Sequence, residues 1–265
     1  MSVESRIRLS ILLARETFDI VEANLLVAVE ASPHLDVRPY LDRVDGLAEE
    51  AGRRGAGAGG VIEALRAEGL RGAEENYHDP RNSLLNEVLD RGQGLPISLS
   101  ALAVGVGERA GVPVAGVGMP GHFIVADLSG AAPRYVDPFH GWAEVSLEDC
   151  DRLVRATAGV ALEPGHLAPV DARSILARML ANLRGSFLAR RRLADALWCA
   201  ELALMIAPDE APLVREHVVL LAGLGRYDDA EAEAMAYLQA NPESPERESL
   251  ERQVAAVQDM RRSMN

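Results

Sequence analysis

His122 and Asp137 carry the strongest chemical suggestion in this sequence. A carboxylate that orients an imidazole makes it a general base, ready to take a proton from a nucleophile or from water. In a cysteine acyl-transfer site the thiol opens a helix, where the helix dipole lowers its pKa. A histidine on a neighbouring strand forms the ion pair, and an Asp or Asn orients the ring. Here Gly94-Leu95-Pro96 leads into a helix, Gly121-His122-Phe123 reads as a strand, and Asp137-Pro138 ends the next strand. Pro96 stands where the thiol belongs. Base and orienter are present, and the nucleophile is not.

No other residue fills that role readily. Ser98 lies about 200° around the helix from Pro96 and points away. Ser100 returns to the same face but one turn, about 6 Å, deeper. Both hydroxyls read as groups that bond back within their helix. Cys150 follows a helix cap at Ser146 and reads as a small buried hydrophobe, as does Cys199 inside a later helix. Asn82 and Asn86, one helical turn apart, either face the same cleft or satisfy loop backbone. His140, three residues beyond Asp137, can also line that cleft. His122, Asp137 and His140 suit zinc by donor type, but their spacing carries no metal signature, and neither a metal nor a cofactor is expected. His122 is then read as a strand tie that donates to Asp137, with general-base chemistry as the alternative.

The elements around these residues follow from periodicity. Apolar residues at three- and four-residue steps predict a helix over 5–31 and another over 36–53. Gly55-Ala56-Gly57-Ala58-Gly59-Gly60 lacks the Gly-Lys-Ser or Gly-Lys-Thr ending of a phosphate loop and reads as a flexible connection. A short helix follows over 61–69. Asp79-Pro80 marks a helix start, with aspartate as cap and proline in the first turn, and that helix runs to Gly92. Pro96 opens the next, which ends at Gly111. Segments 114–118, 122–126 and 133–137 then alternate as short strands, with a hairpin turn at Ser129-Gly130. A helix capped by Ser146 covers 147–156.

From Asp171 onward the pattern is purely helical. Shifting the chain by 34 residues aligns Arg192 with Arg226, Asp195 with Asp229, Ala196 with Ala230, Ala200 with Ala234, Leu204 with Leu238 and Pro208 with Pro242. That period belongs to tetratricopeptide-type helix pairs. Two units cover 175–242, and 243–260 supplies a capping helix. The expected division is a core domain over residues 1–165 and helical repeats over 166–265.

The formal charge of −13 argues against nucleic acid and anionic membrane surfaces, both of which need clustered cations. The run Arg190-Arg191-Arg192 reads as a solvated helix end. The two cysteines lack metal or redox spacing, which fits a reducing compartment. The segment 1–6 lacks a signal-peptide pattern, and no run approaches the roughly 20 apolar residues of a membrane span. A cytoplasmic location is expected.

Several clusters together carry a family resemblance: Tyr77, Asp79, Arg81-Asn82-Ser83, Leu85-Asn86, Val88-Leu89, Gly94-Leu95-Pro96-Ile97-Ser98-Leu99, Gly116-Val117, Pro120-Gly121-His122-Phe123, Asp137-Pro138-Phe139 and Arg178-Met179-Leu180-Ala181-Asn182-Leu183. The chain resembles the bacterial SirB-type proteins, in which a transglutaminase-like core precedes tetratricopeptide repeats. A related core occurs in some eukaryotic F-box proteins. The resemblance implies an α+β fold: N-terminal helices with a small antiparallel sheet, of the transglutaminase or papain-like kind, then an all-α region. It also implies that the missing cysteine belongs to the family pattern. The function expected is a non-catalytic interaction or regulatory module that binds a protein or peptide. The alternative is a hydrolase or acyl transferase using His122 and Asp137 with water or a hydroxyl.

Overall fold

The computed structural model describes residues 3–55 and 57–264. Met1 and Ser2 of the opening segment, Ala56 of the glycine-rich segment, and Asn265 lie outside the described residues. The N-terminal helices are α1 (Val3–Leu13), α2 (Ile20–Ala31), α3 (Arg38–Arg54) and α4 (Ala58–Ala67). The single helix expected over 5–31 is therefore two. Asp19 accounts for the break: its carboxylate accepts from the backbone N–H groups of Val21 and Glu22 and so starts a new helix. Gly59 and Gly60 belong to α4, so part of the glycine run is helix rather than linker.

A two-residue parallel ladder joins β1 (Arg71–Gly72) to β2 (Gln93–Gly94). Between them lie a 3-10 turn at Pro80–Ser83, capped by Asp79, and α5 (Leu85–Arg91). The continuous helix expected from Asp79 is interrupted at Leu84, whose backbone is extended (φ −101°, ψ 116°). α6 (Pro96–Ala110) begins with proline in its first turn and ends at Gly111 in the left-handed conformation. It is buried from Pro96 to Gly107, and its small residues at 101, 103, 105 and 107 admit close neighbours.

The sheet comprises β3 (Val114–Val117), β4 (Ile124–Asp127), β5 (Arg134–Asp137), β6 (Ala143–Val145) and β7 (Pro169–Val170), in the order β6-β5-β4-β3-β7 and antiparallel throughout. α7 (Leu147–Ala158) starts at Ser146, whose hydroxyl accepts from the Asp149 N–H while the Asp149 carboxylate accepts back, a capping box. Cys150 and Val154 of α7 pack with Val117, Ile124 and Ala126 of the sheet and with Met119 of the loop after β3. β6 and β7 escape sequence reading because strands of two or three residues are too short to show alternation.

The helices α8 (Ala172–Ala189), α9 (Leu193–Ile206), α10 (Ala211–Gly223), α11 (Tyr227–Ala240) and α12 (Arg247–Met264) complete the chain. Two compact units result, Met1–Met179 and Leu180–Asn265. The first includes β7 and the start of α8, where Ile175 is buried and the Asn24 side chain reaches Met179. In the second, the 34-residue period is visible atom by atom. Arg192 pairs with Asp195 and Arg226 with Asp229, both at 2.7 Å, while Ala196, Ala200, Ala230 and Ala234 are all fully buried.

A close approach of α6 to α2 gives a test. A Cβ at Gly105 of α6 would lie 2.3 Å from a methyl of Val21 on α2. Gly105→Ala is expected to destabilise by about 1–3 kcal/mol through overpacking. Adding Val21→Ala should recover part of that loss, so the two changes are less than additive in urea unfolding.

Candidate functional site

Asp137 closes β5, opposite Ala143 of β6. Its carboxylate is almost fully buried and accepts four hydrogen bonds. Oδ1 takes the backbone N–H groups of Phe139 (2.9 Å) and His140 (3.3 Å), which folds the chain into a turn. Oδ2 faces two imidazoles: Nε2 of His122 at 2.9 Å and Nδ1 of His140 at 2.8 Å. The turn ends at Trp142, a bulky residue with φ of 60°. Such a conformation costs on the order of 1–3 kcal/mol. It is held because the indole is buried and its N–H donates to the Leu70 carbonyl at 2.8 Å. No sequence rule pointed to Trp142 as a support of the site, since left-handed aromatic residues carry no motif.

His122 precedes β4 rather than lying on a strand, which corrects the sequence expectation. Its N–H donates to Met119 O in a tight turn. That turn needs Gly121, at φ 72°, where a Cβ would meet the Thr157 hydroxyl of α7 at 2.6 Å. Side chains two residues apart share a sheet face. Val136 pairs with Val125, so continuing that register sets Asp137 beside Ile124 and diagonal to His122. Sequence reading thus named both partners correctly but not the loop that carries one of them.

Burial by itself would raise the Asp137 pKa, but the hydrogen bonds and charges of His122 and His140 outweigh it and bring the group from its ordinary 3.8 to about 2. The carboxylate therefore stays ionised between the rings. The ring centres of His122 and His140 are 5.8 Å apart. Phe139 packs edge-on against both His140 and Tyr77, and burial pushes the Tyr77 phenol up. The side chain of His140 is 55% exposed and that of His122 only 6%. One nitrogen from each ring and an Asp137 oxygen lie within 4.8 Å of one another, so among the described residues these three could hold a metal ion.

The remaining candidates are all buried. Pro96 is buried in the first turn of α6. The Ser98 hydroxyl, also buried, accepts from the Leu95 N–H (2.8 Å) and donates to the Asn82 carbonyl (2.7 Å). Asn82 satisfies loop backbone: its amide donates to the carbonyls of Asn76 and Tyr77, and its oxygen accepts from Arg91. Asn86 and Ser100 are buried, and neither Asn86 Oδ1 nor Ser100 Oγ has a hydrogen-bond partner among the described residues. Cys150 is fully buried, and burial, with the charges of Asp149 and Asp137, pushes its thiol up rather than towards thiolate. Cys199 is buried in α9. A cleft of about 450 Å³ opens beside Phe139, lined also by Arg71, Gly72, Glu74, Glu75, Gln93 and Gly141. None of Asn82, Asn86, Pro96, Ser98, Ser100 or His140 lines that cleft, and neither do His122 and Asp137.

Residues 39–181 match the model of the transglutaminase-like superfamily, and residues 183–255 match a tetratricopeptide repeat. A UPF0162 protein of Xylella fastidiosa is 30% identical over 240 residues, 86% of this chain and 85% of that protein. The chain belongs to the UPF0162, SirB-type family. Another UPF0162 protein, from Vibrio cholerae, is 32% identical over 192 residues, 71% of each chain. Human F-box only protein 21 is 27% identical over 170 residues, 59% of this chain but 26% of that protein. No solved structure matches the chain. For this UPF0162 chain, the combination of a transglutaminase-like domain and tetratricopeptide repeats agrees with the α+β and all-α parts expected from sequence.

Because the Asp137 pKa is depressed on folding, its contribution to stability is present above the ordinary value near 3.8 and is lost as pH falls towards about 2. Urea unfolding followed from pH 7 to pH 2 should show Asp137→Asn less stable than the wild type at neutral pH. The gap should narrow across pH 4 to 2.

Proposed function

We propose that this chain is a protein-interaction module that keeps the scaffold of an acyl-transfer enzyme without its nucleophile. The observation that carries this reading is the start of α6. Pro96 opens the helix at the sequence position expected for the thiol, and the nearby Ser98 hydroxyl is buried in bonds to Leu95 and Asn82. An oriented imidazole can take a proton, but on this reading no acyl-enzyme forms, since Pro96 offers no nucleophile and the Ser98 hydroxyl is bonded to Leu95 and Asn82. On this reading the chain works in the cytoplasm, and residues 1–165 and 166–265 act as core and repeat parts.

The repeats supply the proposed docking surface. In the second unit, Val218, Val219, Ala222 and Gly223 of α10 and Gln253, Ala256 and Val257 of α12 line an apolar groove of about 280 Å³. Fourteen Asp and Glu against ten Arg from residue 180 onward favour a basic segment with an apolar anchor residue as the occupant. The second reading, a hydrolase that activates water, is supported by the 2.9 Å contact between His122 and Asp137.

Affinity capture with tagged wild type, Val219→Arg and His122→Ala separates the two. The interaction reading expects a defined set of partners that His122→Ala retains, that Val219→Arg loses, and that raised salt weakens. It fails if nothing is enriched over Val219→Arg. Turnover of simple esters or amides that disappears in His122→Ala would select the hydrolase instead.

A further inference from the structure

A single imidazole oriented by a carboxylate accounts for a base-and-orienter pair, but it leaves His140 unexplained. His140 Nδ1 meets the same oxygen, Asp137 Oδ2, that His122 Nε2 meets. Three donor atoms of the kind that zinc prefers thus converge on one place, drawn from the loop before β4, the end of β5 and the turn after it. We propose that His122 Nε2, His140 Nδ1 and Asp137 Oδ2 form a binding site for a divalent ion of the zinc class.

Four features of the structure support the assignment. First, the geometry is near that of a bound ion. A tetrahedral ion about 2.1 Å from each ring nitrogen sets the two ring centres roughly 5–6 Å apart, and they stand 5.8 Å apart. The two N···O separations, 2.9 and 2.8 Å, need to open by about half an ångström to admit it. Second, the outer support is in place. Oδ1 is held by the N–H groups of Phe139 and His140, which fixes the carboxylate so that Oδ2 alone faces the nitrogens. Third, an approach exists. His140 is more than half exposed, while His122 and Asp137 form a buried floor. Fourth, the surroundings are rigid. The Trp142 indole is tied to Leu70, and Gly121 packs its turn against Thr157.

Three protein donors leave a fourth tetrahedral position for water or for a ligand group, the pattern of an open rather than a closed zinc site. Binding displaces the protons that the two nitrogens otherwise share with Oδ2. This inference does not depend on the interaction reading. A groove on α10 and α12 and an ion at His122 succeed or fail separately.

The test uses the full chain, stripped with a chelator and dialysed, then titrated with zinc by calorimetry and with cobalt by visible absorption. The expected result is one ion per chain and cobalt bands of tetrahedral intensity. His140→Ala should weaken zinc at least tenfold, as should Asp137→Asn, while His34→Ala binds as the wild type does. Circular dichroism of His140→Ala, whose ring is largely exposed, guards against loss of fold. Absence of saturable binding, a stoichiometry unaffected by His140→Ala and Asp137→Asn together, or octahedral cobalt bands unchanged by either substitution would overturn the assignment.

Discussion

One buried carboxylate organises the candidate site of this molecule. Asp137 has almost no contact with solvent, so its charge must be met by donors within the protein. Four are supplied: two backbone N–H groups of the turn after β5 and two imidazoles. Each brings a piece of chain with it. The turn carries Phe139 and His140, and His122 brings the loop between β3 and β4. Without the charge, the donors would be left facing an empty site, and the turn that ends at the left-handed Trp142 would lose its anchor. The rest of the sheet and α7 form the dry surroundings that make the charge costly to leave unpaired.

The other end of the supposed catalytic arrangement is built for packing. α6 is buried along nearly its whole length, and its first turn begins with a proline that has no side-chain chemistry. Ser98 closes the Leu95 N–H and the Asn82 carbonyl, which would otherwise be unpaired in the interior. The helix start that lowers a thiol pKa in a cysteine enzyme is spent here on joining the 3-10 turn at Pro80–Ser83 to α6. On the readings proposed above, the His122 imidazole serves binding rather than acyl transfer.

Much of this was legible in the sequence where physics acts locally. Proline at Pro96 and glycine at Gly111 bounded α6, Ser146 opened α7, and the 34-residue period marked the repeats. Asp19 was missed as a helix start because the apolar periodicity runs straight through it, and only the cap hydrogen bonds reveal the break. His122 was assigned to a strand because Phe123-Ile124-Val125 continues the apolar run, whereas Gly121 at positive φ turns the chain there. Of the site, the pairing of His122 with Asp137 was readable from residue order. The convergence of His140 on the same oxygen was not, because it depends on a tight turn whose geometry is set by Trp142 and Leu70, 72 residues apart.

The claim that matters most is that an oriented imidazole stands here with no nucleophile to activate. Its most direct test is intact-mass analysis of the native chain after exposure to a fluorophosphonate and, separately, to iodoacetamide. The account predicts no adduct while the protein is folded, with Cys150 and Cys199 alkylated only after unfolding. An adduct on native Ser98, Ser100 or Cys150 that disappears in His122→Ala would contradict it and favour the enzyme reading.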